Sequence, residues 1–197
     1  MKSKGNNEIT VKIKGDIISL CENLEKKGFK IVDAFTLDDT FFIPKDLEIE
    51  EMTERAILAK AVLGRNIRRN NPDKIVKVLT VKKKEIDENG NILEQQKIEC
   101  DVVSLESANK FMTAIGYTEI MNIKEKDITY EKDGFKVSLK DIENGDKLIE
   151  TDIVLENEEL NSIEKLNKKF EEYGIQIYTD NFFVKKAEVE LKKVLGR

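Results

Sequence analysis

The chain has 197 residues, 40% hydrophobic and 37% charged, and its 34 basic and 39 acidic side chains leave a formal net charge of −5. That is enough apolar material for one domain with a sizeable core, and the near-balance of charge lacks the basic surplus of a nucleic-acid binder. Histidine is absent, which excludes His-based acid–base chemistry, Ser-His-Asp triads and His-ligated zinc.

Any catalysis therefore falls to carboxylates, Lys, Arg, Tyr or Cys. Cys21 and Cys100 stand alone, with no metal-type spacing and no disulfide framework. A reducing cytoplasm is the expected setting. No apolar run approaches the roughly 18 residues of a membrane span. The first seven residues carry no apolar signal-peptide segment. Neither a membrane nor a nucleic-acid polymer is expected as a partner.

Glu8, Thr10, Lys12 and Lys14 alternate with Ile9, Val11 and Ile13, the period-two pattern of a half-buried strand. Gly15 breaks the strand and Asp16 can cap a helix. Ile17, Leu20, Cys21 and Leu24 then recur at helical spacing up to Gly28, which takes the C′ role. The same device recurs at Leu105–Ile115, with Ser104 as the cap and Gly116 as the stop. It recurs again at Leu160–Phe170, stopped by Gly174.

After the first helix, Phe29 opens an extended piece, and residues 36–44 predict a short strand closed by Pro44. Ile49, Met52, Ala56, Ala59 and Leu63 have helix-like spacing, so a helix is expected over 48–63. Residues 65–72 follow as a basic, turn-rich stretch. A long hairpin is predicted from arms 74–85 and 92–103 around Asn89-Gly90. Thr80 and Lys82 share a face of its first arm, and Lys97, Glu99 and Asp101 share a face of its second. A second hairpin joins 119–130 to 135–142 through Lys132-Asp133-Gly134, with Lys124 and Lys126 on the face of Ile128 and Tyr130. Asn144-Gly145 turns into a last strand, and Asn181–Leu195 suits a helical tail.

Seven or eight strands, mostly in antiparallel hairpins, with four or five helices define an α+β fold in a single domain. Two arrangements fit: a sheet whose charges face solvent, or a barrel whose charges face a polar lumen while helices cover the apolar outside.

In the last strand Glu150 and Asp152 point to one side, about 7 Å apart by strand rise. Two such carboxylates repel unless a cation lies between them; otherwise they form a solvated edge. Their company is Glu8, the acidic pair Glu99/Asp101, and the basic groups Lys12/Lys14, Lys82/Lys84, Lys124/Lys126 and Arg65/Arg68. Lys and Arg neutralise phosphate oxygens, and hard carboxylates hold Mg2+ or Mn2+. The set suits a metal-bound polyphosphate. The alternative is charge spread over solvated strand faces.

The order of these pieces resembles the CYTH, or triphosphate tunnel metalloenzyme, family, from Glu8 to about Ile177. That family opens with an E-x-E-x-K strand and a helix ending in L-x-x-x-G-[FA], like Glu8 to Lys12 and Leu24 to Phe29 here. A D-x-[YF]-[FY] segment follows, like Asp39 to Phe42. Its basic and lysine strands are similar to Arg65–Arg68 and Val78–Lys82. Lys97–Asp101, Ile115–Tyr117, Lys124–Lys126 with Tyr130, and Gly145–Asp152 occupy the later places.

The resemblance implies an antiparallel eight-stranded β-barrel tunnel with helices packed outside. It implies a metal site at Glu8, Glu150 and Asp152 with Glu99 and Asp101 close by. Lys12, the catalytic candidate, would grip phosphate together with Arg68, Lys82, Lys124 and Lys126. The activity implied is Mg2+- or Mn2+-dependent hydrolysis of a tripolyphosphate or organic triphosphate, or cyclisation of ATP as in class IV adenylate cyclases. The partner implied is a triphosphate-containing small molecule, with a homodimer possible.

Four positions depart from the family pattern. Thr10 replaces a glutamate, Asp152 stands for a glutamate, Lys126 replaces an arginine, and Lys140 sits where an aspartate is frequent. These departures favour, as the alternative, a non-catalytic binder of nucleotide or polyphosphate. Glu188-Val189-Glu190-Leu191-Lys192 also spells E-x-E-x-K, but it lies in the helical tail.

Overall fold

A computed structural model of the chain describes residues 8–70, 73–86, 92–154 and 157–197. The described strands are β1 (Glu8–Lys12), β2 (Lys30–Pro44), β3 (Val62–Asn70), β4 (Asp73–Ile86), β5 (Ile92–Asp101), β6 (Tyr117–Lys132), β7 (Phe135–Ile142) and β8 (Lys147–Asp152). The helices are α1 (Ile17–Lys26), α2 (Glu54–Leu58), α3 (Leu105–Ala114), α4 (Ile163–Glu172) and α5 (Lys186–Leu195). The strands form one eight-stranded antiparallel sheet in the order β1-β8-β7-β6-β2-β3-β4-β5. The fold is α+β, as the periodicities predict. The order is open, with β1 and β5 as its end strands.

Two compact units divide these residues. One, the β1 unit, comprises Asn6–Thr36 and Glu125–Lys185; the other, the β3 unit, includes Leu37–Lys124 and Lys186–Arg197. The long strands β2 and β6 contribute residues to both.

In the β1 unit, alternation sends Ile9 and Val11 of β1, Val137 and Leu139 of β7, and Ile149 of β8 to one side, where all are buried. Helices α1 and α4 cover that side with Leu20, Leu24, Leu166 and Phe170. Both helices start on a cap that satisfies free backbone N–H groups. The Asp16 carboxylate accepts from the Ser19 N–H at 2.8 Å, and the Ser162 hydroxyl accepts from the Lys165 N–H at 3.3 Å. Phe29 meets Tyr173 edge-on at 4.8 Å between ring centroids, a favoured aromatic geometry. The β6–β7 turn needs two left-handed residues, and Asp133 (φ 50°) and Gly134 (φ 80°) supply them.

The free edge of β1 is covered by the segment before α5. Thr10 donates to the Phe182 carbonyl at 3.0 Å and accepts from Val184 at 2.9 Å, and Tyr178 donates to the Lys12 carbonyl at 2.9 Å. These bonds correct the expected tail: residues 181–185 cannot join the helix while their backbone serves β1, so α5 starts at Lys186.

In the β3 unit, α3 packs on β3 at Gly64. A Cβ there would meet Asn109 Oδ1 at 3.5 Å and Phe42 at 3.6 Å, ordinary van der Waals contact, so the packing does not depend on glycine. Helices α2 and α5 are joined by Arg55, whose Nε lies 2.9 Å from Glu188 Oε1. Glu188 thus lies on a helix face, as expected for that E-x-E-x-K stretch.

Three further expectations are corrected. Residues 30–44 are one 15-residue strand, not a short one. The helix expected over 48–63 shrinks to Glu54–Leu58, and the turn-rich stretch is largely β3, paired with β4 from Val62↔Val81 to Asn70↔Asp73. Ladder bonds to β4 outweigh the weak local preference of Arg and Asn there. The Asn89-Gly90 turn lies outside the described residues.

Leu166 is fully buried between α4 and the sheet core. Leu166→Ala is expected to lower unfolding stability by about 2–5 kcal/mol, read from urea denaturation; a change below about 1 kcal/mol contradicts the packing described.

Candidate functional site on the polar sheet faces

The alternation that buries one side of the β1 unit turns its ionic residues to the other. Register decides which of them meet. Glu8 stands opposite Asp152, Thr10 opposite Glu150, Ser138 opposite Glu150, and Asp127 opposite Lys140. Neighbours in register share a face, so β1, β8, β7 and β6 together present Glu8, Thr10, Lys12, Glu150, Asp152, Lys140 and Asp127 on one surface.

Lys140 lies at the centre of this group. Its Nζ is 3.1 Å from Asp127 Oδ2 and 3.4 Å from Glu150 Oε1, and its side chain is 15% exposed. Asp127 and Glu125 are 2% and 3% exposed. Burial pulls the Lys140 pKa down, but the charges of Glu150, Asp127 and Glu125 outweigh it and hold the ammonium form above its ordinary range. Glu8 has the opposite problem. Burial, then the charge of Glu150 and a hydrogen bond shared with it, raise its pKa from 4.5 to about 7. Asp152 adds to the repulsion and Lys140 opposes it. Lys12 is paired with Asp146 at 2.9 Å.

The β3 unit has a polar face of its own. Arg65 grips Asp39 with both arms, at 2.8 and 2.7 Å, with side-chain exposures of 17% and 2%. The Thr80 hydroxyl donates to Glu99 at 3.2 Å, and Lys97 lies 2.7 Å from the same carboxylate. The hydrogen bond from Lys97 is the main reason Glu99 titrates below its ordinary range. Register puts Lys82 opposite Lys97 and Asp101 opposite Val78, on the face that carries Arg65.

Of the residues predicted from sequence, Glu8, Lys12, Glu150 and Asp152 come together on the β1 unit, with Asp152 exposed. Lys82, Glu99 and Asp101 come together on the β3 unit. Arg68 lies on the opposite face of β3 from Arg65 and is exposed. Lys126 lies opposite Asp141, on the face of β6 that carries Tyr130, and is exposed. Tyr130 itself is in the core, donating its hydroxyl to Glu25 at 3.0 Å. Lys124 is exposed on the same parity of β6. It is Glu125 and Asp127 that β6 turns toward Lys140.

The signal for that inversion is in the sequence: Lys124 and Lys126 share the parity of Tyr130, so burying the tyrosine sends the intervening carboxylates to the polar face. Arg65, by contrast, shares the parity of the buried Leu63 on β3. Nothing local marked Asp39 as a buried ion-pair partner.

Among the described residues no group of three or more Asp, Glu or Cys is placed to hold a metal by itself. The placement of Glu8, Glu150 and Asp152 on one face of β1 and β8 nevertheless fits a cation that is shared with a ligand. Mg2+ is commonly bound by one or two carboxylates plus substrate phosphates, and two carboxylates that share a hydrogen bond are relieved by a positive charge.

No family model and no curated protein matches the sequence. Solved structures do share the fold. The PH1819 protein of Pyrococcus horikoshii OT3 is 19% identical, with 94% of this chain and 99% of that chain covered and a TM-score of 0.60. A putative adenylate cyclase of Vibrio parahaemolyticus is 14% identical over 98% and 100% of the two chains, with a TM-score of 0.54. A putative adenylyl cyclase from Hippeastrum with a dominant triphosphatase activity is 15% identical over 88% and 91%, with a TM-score of 0.50.

Two measurements check this geometry. The folded Glu8 carboxyl keeps its proton up to about pH 7 while the unfolded one loses it near 4.5. The folded state therefore binds the extra proton between those values, and stability from this group falls as pH rises through that window. Glu8→Gln is expected to flatten the decline of the urea midpoint over the same window; parallel profiles would contradict the shift. Asp39→Ala leaves the guanidinium of Arg65 in a largely buried site and is expected to cost about 3–5 kcal/mol in the same assay; an unchanged midpoint contradicts the pairing.

Proposed function

We propose that the protein binds a small molecule carrying a triphosphate and processes it together with Mg2+ or Mn2+, by hydrolysis or by cyclisation of ATP. The observation that carries this reading is the placement of three carboxylates, Glu8 of β1 and Glu150 and Asp152 of β8, on one sheet face with Glu8 in register with Asp152, where burial and the charge of Glu150 make Glu8 hold its proton. The ordered series of charged strands, which resembles the triphosphate tunnel metalloenzymes, supports it. So do two structures that share the fold, a putative adenylate cyclase and a putative adenylyl cyclase with a dominant triphosphatase activity.

Glu8 and Glu150, with Asp152 beside them, would hold the divalent ion. When bound, that ion supplies Lewis-acid stabilisation of charge on phosphoryl oxygens. Lys12 and Lys140 bring donors to the same face and can neutralise phosphate oxygens. On the β3 unit Arg65, Lys82 and Lys97 are the cations of the polar face, and phosphate oxygens are the ligand chemistry they suit. Phosphoryl transfer asks little more of a protein than positioning and charge stabilisation, so the lack of histidine is no obstacle.

Thr10 favours a second reading. It stands opposite Glu150, where a third carboxylate would complete the cation site, and its hydroxyl carries no charge. On this reading the chain binds the metal–triphosphate complex without turning it over.

The test is incubation with tripolyphosphate, thiamine triphosphate and ATP, with and without Mg2+ or Mn2+. Release of phosphate, pyrophosphate or cyclic AMP is expected, falling to background in Glu150→Ala. Metal-assisted binding by calorimetry without turnover would select the second reading. Neither binding nor turnover would overturn both.

A further inference from the structure

The departure at Lys140 has a consequence for cation binding. Lys140 places an ammonium on β7 between Asp127 of β6 and Glu150 of β8, within 3.1 and 3.4 Å of them. Its side chain is 15% exposed, so little water screens it. The carboxylates it answers include Asp127 and Glu125, both buried. Such groups are tolerated in a low-dielectric setting only when paired with opposite charge. Glu150 is different: its side chain is 25% exposed, and it shares its sheet face with Glu8, diagonally across the pairing of β1 with β8.

Resting on the triphosphate reading above, we propose that Lys140 is the specificity-determining residue for cation uptake on this face: its ammonium is a built-in counter-charge that competes with a divalent cation for Glu150. The geometry gives the competition its form. A divalent ion at Glu8 and Glu150 must either displace the ammonium from Glu150 or accept a like charge a few ångströms away. The four-carbon lysine stem lets the ammonium leave Glu150 and stay with Asp127, so displacement is sterically open. The protein thus trades cation affinity for a face that is partly neutralised when no metal is present. A neutral side chain at position 140 would remove both the competitor and the repulsion.

The experiment titrates Mn2+ alone into the full chain, reading free Mn2+ by electron paramagnetic resonance and binding heat by calorimetry. Lys140→Met is expected to tighten Mn2+ binding by about tenfold or more, as loss of a like charge at close range predicts. Lys140→Arg is expected to stay near wild type, because the charge is kept. Adding Glu150→Gln to Lys140→Met is expected to abolish the gain. If Lys140→Met does not fold without cation, the rise of its Tm with Mn2+, compared with that of the wild type, reads the same affinity.

Equal Mn2+ affinity, or an equal Tm response, in wild type and Lys140→Met overturns the inference. If the wild type still binds Mn2+ through Glu150, that result overturns the inference alone and leaves the functional reading standing. Binding by neither form overturns the inference, and leaves the functional reading, in which the cation arrives with the triphosphate, to its own assay. Binding by Lys140→Met but not by wild type supports the inference in its strongest form.

Discussion

The burial of Ile9, Val11, Val137, Leu139 and Ile149 under α1 and α4 is the constraint on which the β1 unit depends. Each of these residues fixes the direction of its neighbours, because side chains alternate along a strand. A slip of one residue in any of these strands would bury charges under the helices and expose the core. The register that avoids this also sets Glu8 against Asp152, and Lys140 against Asp127. The ionic face is therefore a by-product of the hydrophobic one.

The price of that arrangement is electrostatic. Carboxylates from three strands are held close together, and their mutual repulsion is offset mainly by Lys140. Glu8, which burial and Glu150 affect more than Lys140 does, answers by holding its proton. The β3 unit meets the same problem differently. Its most buried carboxylate, Asp39, has a dedicated guanidinium in a two-pronged geometry, the strongest common way to pair such groups. Asp39 and Arg65 satisfy each other, whereas Glu150 shares the Lys140 ammonium with Asp127 and Glu8 keeps its proton. That contrast, rather than the number of charges, is why the proposed cation site is put at Glu8 and Glu150.

Likeness of fold at 14–19% identity places the chain among eight-stranded α+β proteins and goes no further, since one fold hosts many functions. The functional reading rests on the face itself. Its lysines and carboxylates suit a metal–polyphosphate complex, and its departures at Thr10 and Lys140 distinguish it from the family pattern it resembles. On the proposed reading both departures would act on the same quantity, the affinity of the Glu8–Glu150 pair for a cation.

The sequence alone determined the strands with strict alternation, β1 and β8 above all, the helices capped by Asp16 and Ser104, and a third helix expected from Leu160, which the structure starts at Ile163 behind Ser162. These are set by local signals: period-two or helical spacing, a capping side chain, a stopping glycine. It also determined that Glu150 and Asp152 point the same way. The tertiary structure decided the rest. β3 formed from a stretch that locally favours turns because β4 was there to pair with it. Residues 181–185 stayed out of α5 because their backbone completes the edge of β1. Lys126 went to the core parity of β6 because Tyr130 had to be buried, which gave the polar face to Glu125 and Asp127. The partnership of Lys140 with Glu150 arose from registers summed across β6, β7 and β8. Local spacing fixes which residues share a strand face; only pairing between strands fixes which charges meet.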